Sequence, residues 1–171
     1  MKKVIKVKLE PKSIEKAIKE LEDYKADLER RVRLLVKTLT ERGAVLARAK
    51  VIEHGIIHNT RLLDSIDGFC VGSVGYIRVN DEYAMFFEFG TGPVGASNPH
   101  PLSESGNYKD DGWYTAADGK PMDKLYGWLP LKHPDGNIYY YTEGQRAKPF
   151  MYETALQLRD EFPEIVKEVF G

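Results

Sequence analysis

The chain has 171 residues, 42% hydrophobic and 30% charged, which suits one globular domain spanning residues 1–171 and excludes disorder of the whole chain. A lone cysteine, Cys70, excludes an internal disulfide and a Cys-rich zinc site, and no apolar run reaches the ~18 residues of a membrane-spanning helix. The formal charge of −1 hides a split, since residues 1–50 carry 15 Lys and Arg against 8 Asp and Glu, and residues 51–171 carry 10 against 18. Such a split suits head-to-tail contact between copies, a basic patch for nucleic acid, or a helix whose basic face is simply solvated.

The first residues have the positive start of a signal peptide, but charge interrupts before an apolar core forms, so the chain reads as cytosolic at synthesis. After an alternating segment from Val4 to Leu9, Pro11 breaks the chain and Ser13 is positioned to cap a helix. Ile14, Ala17, Ile18, Leu21, Leu28, Val32, Leu35 and Leu39 recur at helical spacings and form one apolar stripe facing a partner. Gly43 marks a bend or a division into two helices, with helical composition resuming from Ala44 to Ile57. Residues 68–80 read as two short strands and their turn, with Cys70 as a buried packing residue. The segment Tyr83-Ala84-Met85-Phe86-Phe87-Glu88-Phe89 is too short to distinguish strand from helical turn and is expected to be largely buried.

Residues 90–124 hold most of the glycines and prolines, interleaved with Tyr108, Trp113 and Tyr114. They read as a long irregular loop, with an insert at about 93–124 that orders when subunits dock. Tyr126 to Leu131 and Asn137 to Thr142 flank the turn sequence His133-Pro134-Asp135-Gly136 and predict a hairpin. From Lys148 to Phe170 a second helical stripe follows, with Pro149 in its first turn, Phe150 in the core and Pro163 kinking or dividing it. The predicted class is α+β, a long bent N-terminal helix and a C-terminal helix packed on a small, mostly antiparallel sheet.

Several residues invite a chemical reading. His54 and His58 are four apart, a spacing that places two imidazoles on one helix face. The local pattern lacks a third ligand, and His100 and His133 fall in loops without ligand spacing, so no metal is assigned. Gly90-Thr91-Gly92 lacks the Lys-Ser/Thr pair of a phosphate loop and reads as a tight turn. Glu88 among Phe86, Phe87 and Phe89 must find a partner or meet a large desolvation penalty. The candidates are the N–H groups of the Gly90–Gly92 turn, the Thr91 hydroxyl, or Arg146. It reads as a turn-locking carboxylate; the enzyme reading is a metal-dependent hydrolase using Glu88 with His54 or His58. The aromatic run Tyr139-Tyr140-Tyr141, with Trp113, Tyr114, Tyr126 and Trp128, suits either a subunit interface or a core beneath the loop.

The run Tyr83-Ala84-Met85-Phe86-Phe87-Glu88-Phe89-Gly90-Thr91-Gly92 is followed some fifty residues later by Gly144-Gln145-Arg146-Ala147-Lys148-Pro149-Phe150-Met151. Together they resemble the gene-product-ten-like putative tail components, small head-tail joining proteins of long-tailed phages. Thr60-Arg61-Leu62-Leu63-Asp64-Ser65-Ile66 is similar to that family's segment between the long helix and the sheet, with Thr60-Arg61 where the family often has Gly. The resemblance implies a non-enzymatic, ring-forming virion protein of the neck or tail-completion layer, without cofactor or metal. Its partners would be further copies of itself and other neck and tail proteins, with no membrane and only incidental DNA contact. It would be made in the host cytoplasm and end in the virion. From the residues themselves, Glu88, Gly90, Thr91, Gly92, Trp113, Tyr114, Arg146, Pro149 and Phe150 are the candidate structural or interface residues.

Overall fold

The computed structural model describes residues 4–56, 60–103, 108–116 and 128–171. Its chain order is α1 (Pro11–Glu53), α2 (Thr60–Asp64), β1 (Ile66–Val71), β2 (Val74–Val79), α3 (Ala84–Phe89), α4 (Gly92–Ser97), β3 (Trp113–Ala116), β4 (Leu129–Lys132), β5 (Ile138–Thr142) and α5 (Phe150–Phe170). The class is α+β. All strand pairs among the described residues are antiparallel, in a β1-β2 hairpin and a separate three-stranded sheet of order β3-β5-β4.

The N-terminal helix starts at Pro11, earlier than the proposed Ser13 cap. Glu10 flanks it without a side-chain cap, and the Ser13 hydroxyl instead accepts the N–H of Lys8 at 2.9 Å. The helix then runs unbroken through Gly43 for 43 residues, so a division into two helices does not occur. Gly43 is there for space. A Cβ at this position would collide with Ile77 of β2 and lie 2.7 Å from Cδ1 of Leu158 in α5, so the missing side chain lets hairpin and C-terminal helix close on α1 together. The ~1 kcal/mol propensity cost of an interior glycine is offset by that packing.

Ala44, Ala47 and Val51 of α1 meet Ile56, Leu62, Ile66, Ala84 and Phe150 in the core, with Ile77, Val79, Phe87 and Met151 packed around them. The small alanines let neighbouring elements approach one face of α1, and larger side chains fill the gap from the other side. Arg48 of α1 donates to the Leu63 carbonyl at 3.4 Å and to the Ile66 carbonyl, fastening the α2–β1 corner. The hairpin matches the predicted strand pair, but its tip extends past this core. Cys70 lies there and is exposed, contrary to the expected burial, with its Sγ 3.6 Å from the Thr40 hydroxyl.

The C-terminal helix is likewise undivided, although Pro163 lies inside it. Pro149 stands just before the first helical residue rather than within the first turn, and its carbonyl accepts the N–H of Glu153 at 2.9 Å. Arg42 Nε of α1 meets Glu161 Oε2 of α5 at 2.8 Å. Near the other end of α5, Arg31 Nη1 donates to the Val169 carbonyl at 3.0 Å.

The stretch expected to be one long loop contains α4 and β3; residues 104–107 and 117–127, Tyr126 of the predicted hairpin among them, lie outside the described residues. The predicted hairpin is β4-β5, with β3 added on the far side of β5. Period-two alternation divides the aromatic run: Tyr140 and Thr142 are buried, whereas Tyr141 and Tyr114 are exposed with ring centroids 5.3 Å apart.

Candidate functional site

The undecided segment at 83–89 is helical. Asp81 Oδ1 accepts the N–H of Tyr83 at 2.8 Å just ahead of α3, and Gly90, at φ 76°, ends the helix with its N–H on the Phe86 carbonyl. Six residues of helix present only one side to the core, so Ala84 and Glu88 are buried while Tyr83, Met85, Phe86 and Phe89 stay exposed. The expectation that this segment is largely buried therefore fails for Tyr83, Phe86 and Phe89, while Phe87 packs against the core. What goes inside instead is a carboxylate.

Glu88 binds the start of the C-terminal helix. Its Oε2 accepts the N–H of Met151 at 2.9 Å and its Oε1 accepts the N–H of Tyr152 at 2.9 Å. Both are first-turn donors with no intrahelical acceptor, and α5 has no side-chain cap of its own. A carboxylate at that end also opposes the positive pole of the helix dipole. The third partner is His100, buried like Glu88, with Nε2 3.2 Å from Oε1. Because His100 Nδ1 accepts the N–H of Leu102 at 3.1 Å, the ring proton lies on Nε2 and is donated to Glu88. The imidazole packs against Phe89, centroids 4.6 Å apart, and edge-on to Tyr152 at 5.3 Å. One carboxylate thus ties α3, the turn at His100 and α5 together.

Around this clamp the two sequence motifs run side by side. Thr91 and Gln145 form an isolated antiparallel bridge, Thr91 N–H to Gln145 O at 2.8 Å and Gln145 N–H to Thr91 O at 3.1 Å. Gln145 Nε2 donates to the Phe86 carbonyl at 3.1 Å, and the Lys148 N–H to the Phe87 carbonyl at 2.8 Å. The glycines are required by this approach: a Cβ on Gly90 would lie 2.6 Å from Ala147 N, and one on Gly144, at φ 90°, would strike the Thr91 carbonyl. Gly92 meets Trp113 in the same way, at 2.8 Å from the ring. Lys109 Nζ lies over the Trp113 ring, 5.4 Å from its centroid. Beside the bridge is a cleft of ≈ 560 Å³ lined by Met85, Phe86, Phe89, Thr91, Tyr108 and Trp113, among others.

Glu88, Gly90, Thr91, Gly92, Trp113, Pro149 and Phe150 are therefore brought to one neighbourhood, while Tyr114 is exposed on the adjoining sheet. The proposed partners of Glu88 do not hold. Arg146 is exposed, the Thr91 hydroxyl accepts the Gln145 N–H at 3.2 Å, and the N–H groups at Glu88 come from α5 rather than from the Gly90–Gly92 turn. Sequence reasoning missed His100, which lies twelve residues away without local pattern, and it missed the α5 backbone donors, which no side-chain motif encodes.

Lys148 adds an electrostatic feature. Burial, and then the neighbouring positive charge of Arg146, hold its ammonium below the ordinary lysine range. His54 follows the last turn of α1, with its Nε2 3.1 Å from Glu153 Oε2, and Lys50 Nζ lies 3.8 Å from the same oxygen. His58 lies outside the described residues. Among the described residues no three His, Cys, Asp or Glu side chains gather as a metal site, and no helix is long and apolar enough to cross a membrane. Compared with known proteins, the chain matches no family model, no curated protein and no solved structure.

Proposed function

We propose that this protein is a structural subunit that joins head to tail, or completes the tail, in a long-tailed phage or prophage, and that it acts by assembling into a ring. The observation that carries this reading is the interlocking of the two segments that resemble the joining family. Residues 83–92 and 144–151 form one hydrogen-bonded unit through the Thr91–Gln145 bridge and the Glu88 clamp. The motif pair is thus a framework that holds the C-terminal helix and presents an apolar face made of Tyr83, Met85, Phe86 and Phe89. Exposed aromatic and Met side chains of this kind suit docking to protein partners. Those partners are neighbouring copies and other neck or tail proteins, met in the host cytoplasm during assembly and retained in the virion.

Glu88 is poorly suited to the hydrolase alternative. It is buried and its oxygens already accept from the N–H groups of Met151 and Tyr152 and from His100, whereas a general base must come within hydrogen-bond reach of substrate. The test is to disrupt the gene in an inducible lysogen and view the lysate by electron microscopy. Full heads and separate, unjoined tails are expected. Normal infectious particles would overturn the proposal.

A further inference from the structure

The first half of α1 stands clear of α5. The C-terminal helix runs antiparallel to α1, with Glu153 beside Lys50, Glu161 beside Arg42 and the Val169 carbonyl beside Arg31, and there it ends. Some twenty residues of α1, a length of ~30 Å, project beyond. Apart from Ala17, every buried residue of α1 lies at or beyond Thr40. Yet the projecting part carries Ile14, Ile18, Leu21, Leu28 and Val32 at 41%, 50%, 56%, 42% and 38% exposure.

These residues follow a heptad. Ile14, Leu21, Leu28 and Leu35 fall at d positions, and Ile18, Lys25 and Val32 at a positions. β-Branched residues at a with leucine at d favour two parallel strands, and one Lys at an a position sets register at some cost in stability. The flanks choose orientation. Glu15, Glu22 and Glu29 occupy e, and Ala17, Tyr24 and Arg31 occupy g. In an antiparallel pair the glutamate edges would face each other, whereas in a parallel pair the exposed Tyr24 faces the second copy's Glu29. Residues 11–30 hold five basic and six acidic side chains, so two copies side by side are not repelled. The positive surplus of the N-terminal region lies elsewhere, which argues against nucleic acid as occupant of this seam. The exposed seam with Tyr24 amounts to roughly 600 Å² per chain, about 1,200 Å² in all, the lower end for a specific interface.

We infer that the projecting half of α1 pairs with the same segment of a second copy as a short, parallel, in-register two-stranded coiled coil. The pairing does not rest on the joining role. It is tested on the full chain by sedimentation equilibrium up to about 100 µM, a range suited to micromolar affinity. A reversible self-association is expected that is abolished by Leu21→Glu with Leu28→Glu and tightened roughly tenfold by Lys25→Ile. Since both leucines are exposed, the double variant should keep the wild-type thermal melt in dilute solution, where neither protein is associated. In a Cys70→Ser background, Ile14→Cys should form a disulfide-linked dimer on mild oxidation, because the parallel register sets residue 14 opposite itself, whereas an antiparallel pair would place the two copies of that residue about 27 Å apart. A wild type that stays monomeric at the highest concentration overturns the pairing, as does an assembly that persists in the double variant or an absence of the Ile14→Cys crosslink. A persisting assembly would leave the ring reading standing, whereas joined particles from the disrupted lysogen would remove the joining role and leave the pairing intact.

Discussion

Truncating Glu88 would leave the N–H groups of Met151 and Tyr152 and the Nε2–H of His100 without their acceptor in a dry setting. Glu88→Ala is expected to cost about 3 kcal/mol, as losses of hydrogen bonds to a charged group run about 1.5–3 kcal/mol and stranded donors add to them. Glu88→Gln keeps the shape and one acceptor oxygen, and should recover part of the loss. Urea titration of the three proteins measures both, and a glutamine variant weaker than the alanine one would contradict the clamp. Lys148 gives a pH-dependent prediction. Its folded-state pKa is lowered from 10.5 by burial and then by Arg146, so the charged form penalises the folded state at neutral pH. That penalty fades as pH rises through the lowered value towards 10.5, because the folded lysine releases its proton first. Lys148→Met should therefore raise the melting temperature at pH 7, with the gain shrinking as pH approaches 10.5.

At the scale of elements, the two helices carry the strongest tests. Phe150, 1% exposed, sits at the junction of α5 with the core, and Phe150→Ala should cost about 3–5 kcal/mol in denaturant titration. A change within about 0.5 kcal/mol would place the ring on a surface instead. Pro163 is exposed and interior to an unbroken helix. It withholds an N–H from the ladder and crowds the preceding turn, so Pro163→Ala should stabilise the protein by about 1–3 kcal/mol. Why the chain carries a proline there has no explanation in the packing around it.

For the whole molecule, acid stability depends on contacts that join distant parts of the chain. Arg42 holds the Glu161 carboxyl below its ordinary value of 4.5, with Gln157 assisting. A carboxyl with a depressed folded pKa contributes stability that is complete above 4.5 and lost as pH falls through the folded value. Glu161→Gln should therefore lower the melting temperature at pH 7 and flatten its fall below pH 4.5, as read from calorimetric scans between pH 3 and 7. Equal acid limbs in the two proteins would show that the α1–α5 ion pair carries no such linkage.

Local periodicity was enough to determine the α+β class, the long N-terminal helix, the β1-β2 and β4-β5 hairpins and the burial of Phe150, because amphipathic spacing and turn chemistry act within a few residues. Glu88 could be singled out as a carboxylate needing a partner from its neighbours alone, but which partner it takes could not. The donors belong to a helix start sixty residues on and to a histidine without motif, and only tertiary structure brings them within 3.2 Å. The unbroken course of α1 was hidden for a related reason. Gly43 reads as a helix breaker by propensity, and its value lies in the space it leaves for Ile77 and Leu158. Exposure of Cys70, Phe86 and Phe89 followed from how far each element extends past the core, which hydrophobicity along the chain does not record. The stripe from Ile14 to Val32 was legible as apolar, but that Ile14, Ile18, Leu21, Leu28 and Val32 stand exposed belongs to the fold, because the described core elements pack on the other half of α1.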